Sequence, residues 1–171
     1  MPISDELKRI YVTAPIDDYY IETLALEHPL FPDTGQGAGV RYITNNRDGW
    51  TGDLETGGTA TYTYLPFASI PPNGAEQAAL TLQVQIDNTS RELMDELELL
   101  STSPTDPIFI TYRVYLQSDT AVQNDPPLRL EILSVVAKLT SIAFTAGMTN
   151  LRSRPFPAML YTTSLYPGLE R

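Results

Sequence analysis

A chain of 171 residues with 21 acidic against 11 basic side chains carries a formal charge of −10. That argues against a general nucleic-acid binder, because counterion release needs clustered lysine and arginine. No cysteine is present, which excludes a disulfide, a thiolate zinc site and a thiol nucleophile, and suits a reducing compartment.

Hydrophobic content of 42% and charged content of 19% are ordinary for a globular protein, so residues 1–171 read as a single domain. The 14 prolines and 10 glycines favour turns and extended segments over a helical bundle. No apolar run approaches the roughly 20 residues of a membrane span, and MPISDELKRI lacks a basic-then-apolar leader. Neither a membrane partner nor export by that route is expected.

In chain order, Ser4-Asp5-Glu6-Leu7-Lys8-Arg9 reads as a short capped helix with Leu7, Ile10 and Tyr11 at packing spacing, ended by Pro15. Asp17–Glu27 reads as the first long strand, with Tyr20, Glu22, Leu24 and Leu26 on one parity and Tyr19, Ile21, Thr23 and Ala25 on the other; His28-Pro29 is its exit. A glycine-rich connection, Gly35–Gly39, leads into a short strand, Val40–Thr44. Seven of the ten glycines lie between Asp33 and Thr59, so residues 33–59 are expected to form a long loop region.

Ala60–Phe67 alternates and reads as a strand that Pro66 confines to an edge or an end, and Ile70–Gly74 is a turn. In Ala78–Asp87 the apolar Leu80, Leu82, Val84 and Ile86 alternate with polar residues, the period of a half-buried strand. Thr89 and Glu92 then form a capping box. The helix behind it turns Leu93, Met94, Leu97 and Leu100 inward and leaves Asp95, Glu96 and Glu98 largely to solvent. Pro104 and Pro107 close it, and Ile108–Leu116 returns as a strand.

Gln117–Pro127 is a polar loop, and Leu128–Ala137 is a strand that becomes fully apolar at Val135-Val136. Leu139–Thr145 continues the sheet, with either Leu139 and Ile142 or Ala143 and Phe144 inward. Residues 152–171 form an extended tail, too rich in proline for a central strand and too apolar for a disordered linker. The sum is a mainly β (α+β) fold: an antiparallel β-sandwich or partial barrel of about seven strands, with one flanking helix and a short N-terminal helix.

Candidate sites are few. His28, the sole histidine, would have to serve any Ser-His-Asp arrangement, yet it stands before a proline at a strand exit and reads as a turn residue. The carboxylates Asp17-Asp18, Asp53/Glu55 and Asp95/Glu96/Glu98 invite acid–base chemistry, but strand entry and a solvated helix face account for them more simply. Asp48–Asp53 has the oxygens of a calcium loop without its ladder or terminal glutamate, and reads as a hairpin tip with an exposed Trp50. Gly35–Gly39 mimics a phosphate loop but precedes a strand and lacks a following Lys-Ser or Lys-Thr. No catalytic residue, cofactor or metal is therefore expected. The expected interface residues are Trp50 and, in the tail, Pro155, Phe156, Pro157, Tyr161, Leu165, Tyr166 and Pro167.

Four stretches in order, Leu24–Pro32 before Arg41–Asn45, Tyr64–Phe67, Val84–Glu92, and Phe156-Pro157 through Tyr161 to Tyr166–Leu169, carry a resemblance. The chain resembles an uncharacterised family of proteins of bacteriophages with long non-contractile tails, similar to distal tail or tail-tip proteins. The resemblance implies a tail-tube-like β-sandwich assembled as a ring, expected to be hexameric, around the DNA channel. Its implied partners are identical copies, the tail tube protein above, and a hub or tape-measure protein below, with DNA only in transit. The implied location is the virion tail, after assembly in the host bacterial cytoplasm. It implies no catalytic residue. Two other roles stand beside it: a carbohydrate- or receptor-binding module of the tail tip using Trp50 and loop tyrosines, and, as the resemblance also implies because such proteins share the sandwich-like fold, a tail-completion or connector subunit.

Overall fold

The computed structural model describes residues 3–13, 15, 18–33, 35–71, 81–87, 92–100, 106–124 and 126–148. The first helix, α1 (Asp5–Thr13), starts where the Ser4 hydroxyl accepts the Leu7 amide at 3.2 Å, the N-cap expected from sequence. It buries Leu7 and Ile10 and leaves Tyr11 half exposed. Nine strands follow: β1 (Tyr20–Glu27), β2 (Val40–Thr44), β3 (Trp50–Asp53), β4 (Thr59–Tyr64), β5 (Phe67–Ile70), β6 (Thr81–Asp87), β7 (Phe109–Leu116), β8 (Leu128–Ala137) and β9 (Ser141–Gly147). The second helix, α2 (Glu92–Leu100), lies between β6 and β7.

All nine strands belong to one sheet in the order β3-β4-β2-β1-β7-β8-β9-β6-β5. Every pairing is antiparallel except β2 with β4, which is parallel over Ile43↔Thr63 and Thr44↔Tyr64. β4 and β5 stand near opposite ends of that order, yet only Leu65 and Pro66 separate them in the chain. The Leu65 amide donates to Thr44 O beside β4, while Pro66 O accepts the Asp87 amide at the end of β6. The sheet must therefore curl until its two ends approach. Among the described residues it does not close, because β3 and β5 remain edges.

Curling explains why β1 and β7 are covered on both faces. Leu24, Leu26, Ile110, Val114 and Leu116 join Leu7, Ile10, Leu93, Leu82, Val84, Ile86, Ile142 and Phe144 in the main core. The opposite parity of the same two strands, Ile21 and Tyr115, packs with Ala60 and Tyr62 beneath the β3–β4 hairpin. Seven consecutive residues, Ile110–Leu116, are buried, so a sequence that alternates in polarity lies in a strand that does not alternate in exposure.

Several expectations need correction. Among the described residues there are nine strands, not about seven, and the sheet is mixed, not purely antiparallel. β3 falls within the expected loop; its four residues include Gly52 and are too few to display a period. Pro66 divides the expected strand Ala60–Phe67 into β4 and β5, since proline cannot donate to the ladder. β9 begins at Ser141 and buries Ile142, Phe144 and Ala146; Leu139 is 79% exposed in the turn before it. Glu96 is buried, with Oε2 3.7 Å from Arg41 Nε on β2. It lies three residues from Leu93 and four from Leu100, hence on the face that meets the sheet. The capping residues Thr89 and Asn88, the start of the strand at Ala78–Leu80, Pro104, and the tail residues Pro155, Phe156, Pro157, Tyr161, Leu165, Tyr166 and Pro167 lie outside the described residues.

Candidate functional site

A group of linked polar side chains lies under the β3–β4 hairpin, on the outer face of β1 and β7. The hairpin turns tightly at its tip, where the Leu54 amide donates to Gly58 O and the Gly57 amide to Leu54 O. Gly57 and Gly58 take φ of 89° and 90°, the left-handed region that glycine enters without steric cost. This turn sets Glu55 over Arg113 of β7, whose Nη2 and Nε donate to its two carboxylate oxygens at 2.7 and 2.9 Å. The Arg113 side chain is 8% exposed and that of Glu55 36%. The arginine hydrogen bonds hold the Glu55 carboxyl below its ordinary range against some desolvation. Burial alone would lower the Arg113 guanidinium, but Glu55 and its other neighbours outweigh it and raise it.

Beside this pair the Tyr115 hydroxyl donates to Asp53 O at 3.0 Å, which leaves Tyr62 as the donor in the 3.1 Å contact between the two hydroxyls. Burial pushes Tyr115 well above the usual phenol range. Trp50 packs its ring against Tyr115 at 6.1 Å between centroids. The expected exposed Trp50 at a hairpin tip is thus corrected: it is half-buried at the start of β3, and the tip is at residues 54–58.

Side chains also stand in for missing strand neighbours. β7 pairs with β8 only through Tyr112. Beyond that point Asn124 takes over: its Oδ1 accepts the Val114 amide at 2.8 Å and its Nδ2 donates to Tyr112 O at 3.1 Å. Gln36 does the same between β2 and β4. Its Oε1 accepts the Tyr42 amide, and its Nε2 lies within 3.2 Å of Tyr42 O, Thr61 O and Thr63 Oγ1. In the main core Glu22 accepts from the Tyr112 hydroxyl at 2.8 Å and from the Ser69 hydroxyl at 3.0 Å, tying β1 to β7 and to β5. Burial and the Glu22 charge push Tyr112 far above its ordinary value, so it remains a donor.

The carboxylates singled out in the sequence do not converge. Asp53 accepts from Thr120, Glu55 from Arg113 and Asp18 from Ser118, while Glu96 faces Arg41 and Asp95 is exposed. Asp17 lies outside the described residues. Among the described residues no group of three His, Asp or Glu side chains could hold a metal ion, and no helix is long and apolar enough to cross a membrane. His28 is a turn residue as expected, but it is buried: Nδ1 accepts the Leu30 amide at 3.2 Å, and the ring meets Phe31 edge-on. Gly39 O accepts the His28 amide, which anchors the glycine-rich connection to the end of β1. A cavity of about 360 Å³ lies beside His28, with the Arg129–Glu27 ion pair (2.8 Å) and Phe109 on its wall. A second, of about 390 Å³, lies between the hairpin tip and Ala121, Val122 and Pro127. Neither wall brings a hydroxyl nucleophile to a base.

Residues 6–161 match the model of a domain of unknown function, DUF1833. The chain belongs to the DUF1833 family. No curated protein matches it. The family description names no activity, so the residues of this DUF1833 domain that organise the site, Arg113, Glu55, Gln36, Asn124 and Glu22, are known only from their contacts. Of these, sequence reading singled out only Glu55 as a candidate, while Gln36 lay within the Gly35–Gly39 stretch read as a flexible connection. Only a lone arginine in an otherwise apolar strand, Arg113 within FITYRVYL, could have signalled a buried ion pair.

Proposed function

We propose that this DUF1833 domain is a structural subunit of a bacteriophage tail, a distal tail or tail-tip ring component that joins the tail tube to the baseplate or tip and lines the DNA channel. The observation that carries this reading is the use of the polar side chains: Arg113, Glu55, Glu22 and Gln36 tie elements of the sheet together and Asn124 holds the free side of β7, which leaves no open reactive centre among the described residues. A scaffold so tied, with two sheet edges that no described strand covers, suits a component that works by rigid contact with neighbours. The charge of −10 suits a channel wall, since an acidic lumen repels DNA phosphates and lets the genome slide. The resemblance at Leu24–Pro32, Tyr64–Phe67 and Val84–Glu92 points the same way. The neighbours on this reading are identical copies, the tube protein on one side and a hub or tape-measure protein on the other. Immunogold labelling of purified tails tests it: label at the distal end is expected, and tails that carry none there overturn it.

A further inference from the structure

The chain changes character after Glu131. From Ile132 onward the only acidic residue is Glu170, set against Lys138, Arg152, Arg154 and Arg171, so the acidity of the chain is carried by the residues before that point. In the structure this change begins in the second half of β8, which runs past the end of its pairing with β7, while β9 stays paired with β6 from Ser141 to Gly147. β8 pairs with β7 through Leu128–Glu131 only, and the Ile132 amide still reaches Ile108 O. From Ser134 to Ala137 its strand partner among the described residues is β9 alone, after an irregularity in the register at Leu133.

That distal part is apolar and open to solvent. Leu133 is 59% exposed, Val135 39%, Val136 53% and Leu139, in the turn, 79%. The other edges carry protection: β5 spans four residues between Pro66 and Pro71, and the Asp53 amide at the end of β3 is taken by Thr120 O. Residues 133–141 contain no proline and one charge, Lys138. Copies that are acidic before Glu131 repel one another on approach, and an apolar strand and turn whose one charge is a lysine adds nothing to that repulsion.

We propose that the β8–β9 hairpin, Leu133–Ser141, is the surface by which one copy of this chain docks on a second copy, with its apolar residues buried and Lys138 against acidic side chains of the neighbour. The inference deepens the ring reading and rests on it in taking the partner to be another copy. Such a contact joins two different surfaces, so it repeats head to tail and closes into a ring where the rotation fits. The lysine pairing at its rim weakens with salt, since screening acts over about 8 Å at physiological ionic strength.

The test mixes full-length chain at natural abundance with chain labelled with nitrogen-15, treats it with a carbodiimide that joins amines to carboxylates at zero length, and reads the linked peptides by mass spectrometry. Mixed-isotope links from Lys138 to an Asp or Glu are expected. Native mass measurement should show the assembly of the pair Val136→Thr with Leu139→Asn weakened roughly tenfold or more. Both positions are exposed, so circular dichroism should show an unchanged fold, and Lys138→Glu gives an independent reading without loss of apolar area. Variants that assemble like the parent overturn the hairpin contact while leaving the ring reading standing. A chain that stays monomeric with Lys138 linked only within itself also overturns it, as do Lys138 links to a different protein in purified tails. The ring reading stands or falls separately, on the labelling of the tails.

Discussion

Arg113 grips Glu55 through two parallel hydrogen bonds, 2.7 and 2.9 Å long, across 58 residues of chain. One partner is nearly buried and the other about a third exposed, so the two ends of this ion pair are not equivalent. The pair closes the β3–β4 hairpin over the outer face of β1 and β7.

Removing either partner is therefore expected to have unequal effects. Glu55→Ala strands a buried guanidinium and should cost about 1–3 kcal/mol. Arg113→Met leaves a carboxylate that can turn to water, and should cost less than about 1 kcal/mol. Urea denaturation of the two variants measures this, and the reverse order would show that the packing of Arg113, not its charge, holds the hairpin.

The same pair sets an acid limit. Glu55 has a folded pKa depressed below its ordinary 4.5, so its contribution is fully present above that value and is lost as pH falls through the lower folded pKa. The stability gap between the parent and Glu55→Gln should be constant from about pH 6 to 8 and narrow below about pH 4.5. Thermal melts across that range test it; a gap that does not narrow would mean that Glu55 is not ionised in the folded protein.

At the alkaline end the sign reverses. Tyr112 and Tyr115 are raised, chiefly by burial, so the neutral phenols favour the fold below about pH 10 and that stabilisation is lost as pH rises through the higher folded values. Tyrosine ionisation followed at 295 nm should therefore coincide with unfolding for these two residues. Tyr115→Phe should move the alkaline transition upward, and a transition that does not move would refute the assignment.

Gly52 fails as alanine for a reason that is purely spatial. A Cβ there would lie 2.6 Å from Tyr115 Cε1 and 2.7 Å from Cζ. Gly52→Ala should displace the tyrosine, break its hydrogen bond to Asp53 O, and cost roughly 1–3 kcal/mol with an altered near-ultraviolet spectrum. An unchanged spectrum would place the ring elsewhere.

Gln36→Ala removes contacts to the Tyr42 amide and carbonyl, Thr61 O and Thr63 Oγ1 at once. Faster hydrogen exchange at the Tyr42 amide, with β1 unaffected, is the expected signature. Equal protection in both proteins would mean that water replaces the side chain at no cost.

Local pattern carried the sequence a long way. The strands Val40–Thr44 and Leu128–Ala137 are legible to the residue, and Ser4 marks the helix start, because each signal depends on near neighbours alone. The mainly β class with two helices follows from the same arithmetic. Strand order could not be read, nor the split of one run into β4 and β5 at opposite sides of a curling sheet, nor the burial of both faces of β7. Those depend on which distant segments meet, and the pairings of Glu55 with Arg113 and of Glu96 with Arg41 arise only when they do. Exposed acids and buried ones look alike along a chain; only the folded sheet, by desolvating one partner and fixing the other beside it, separates them.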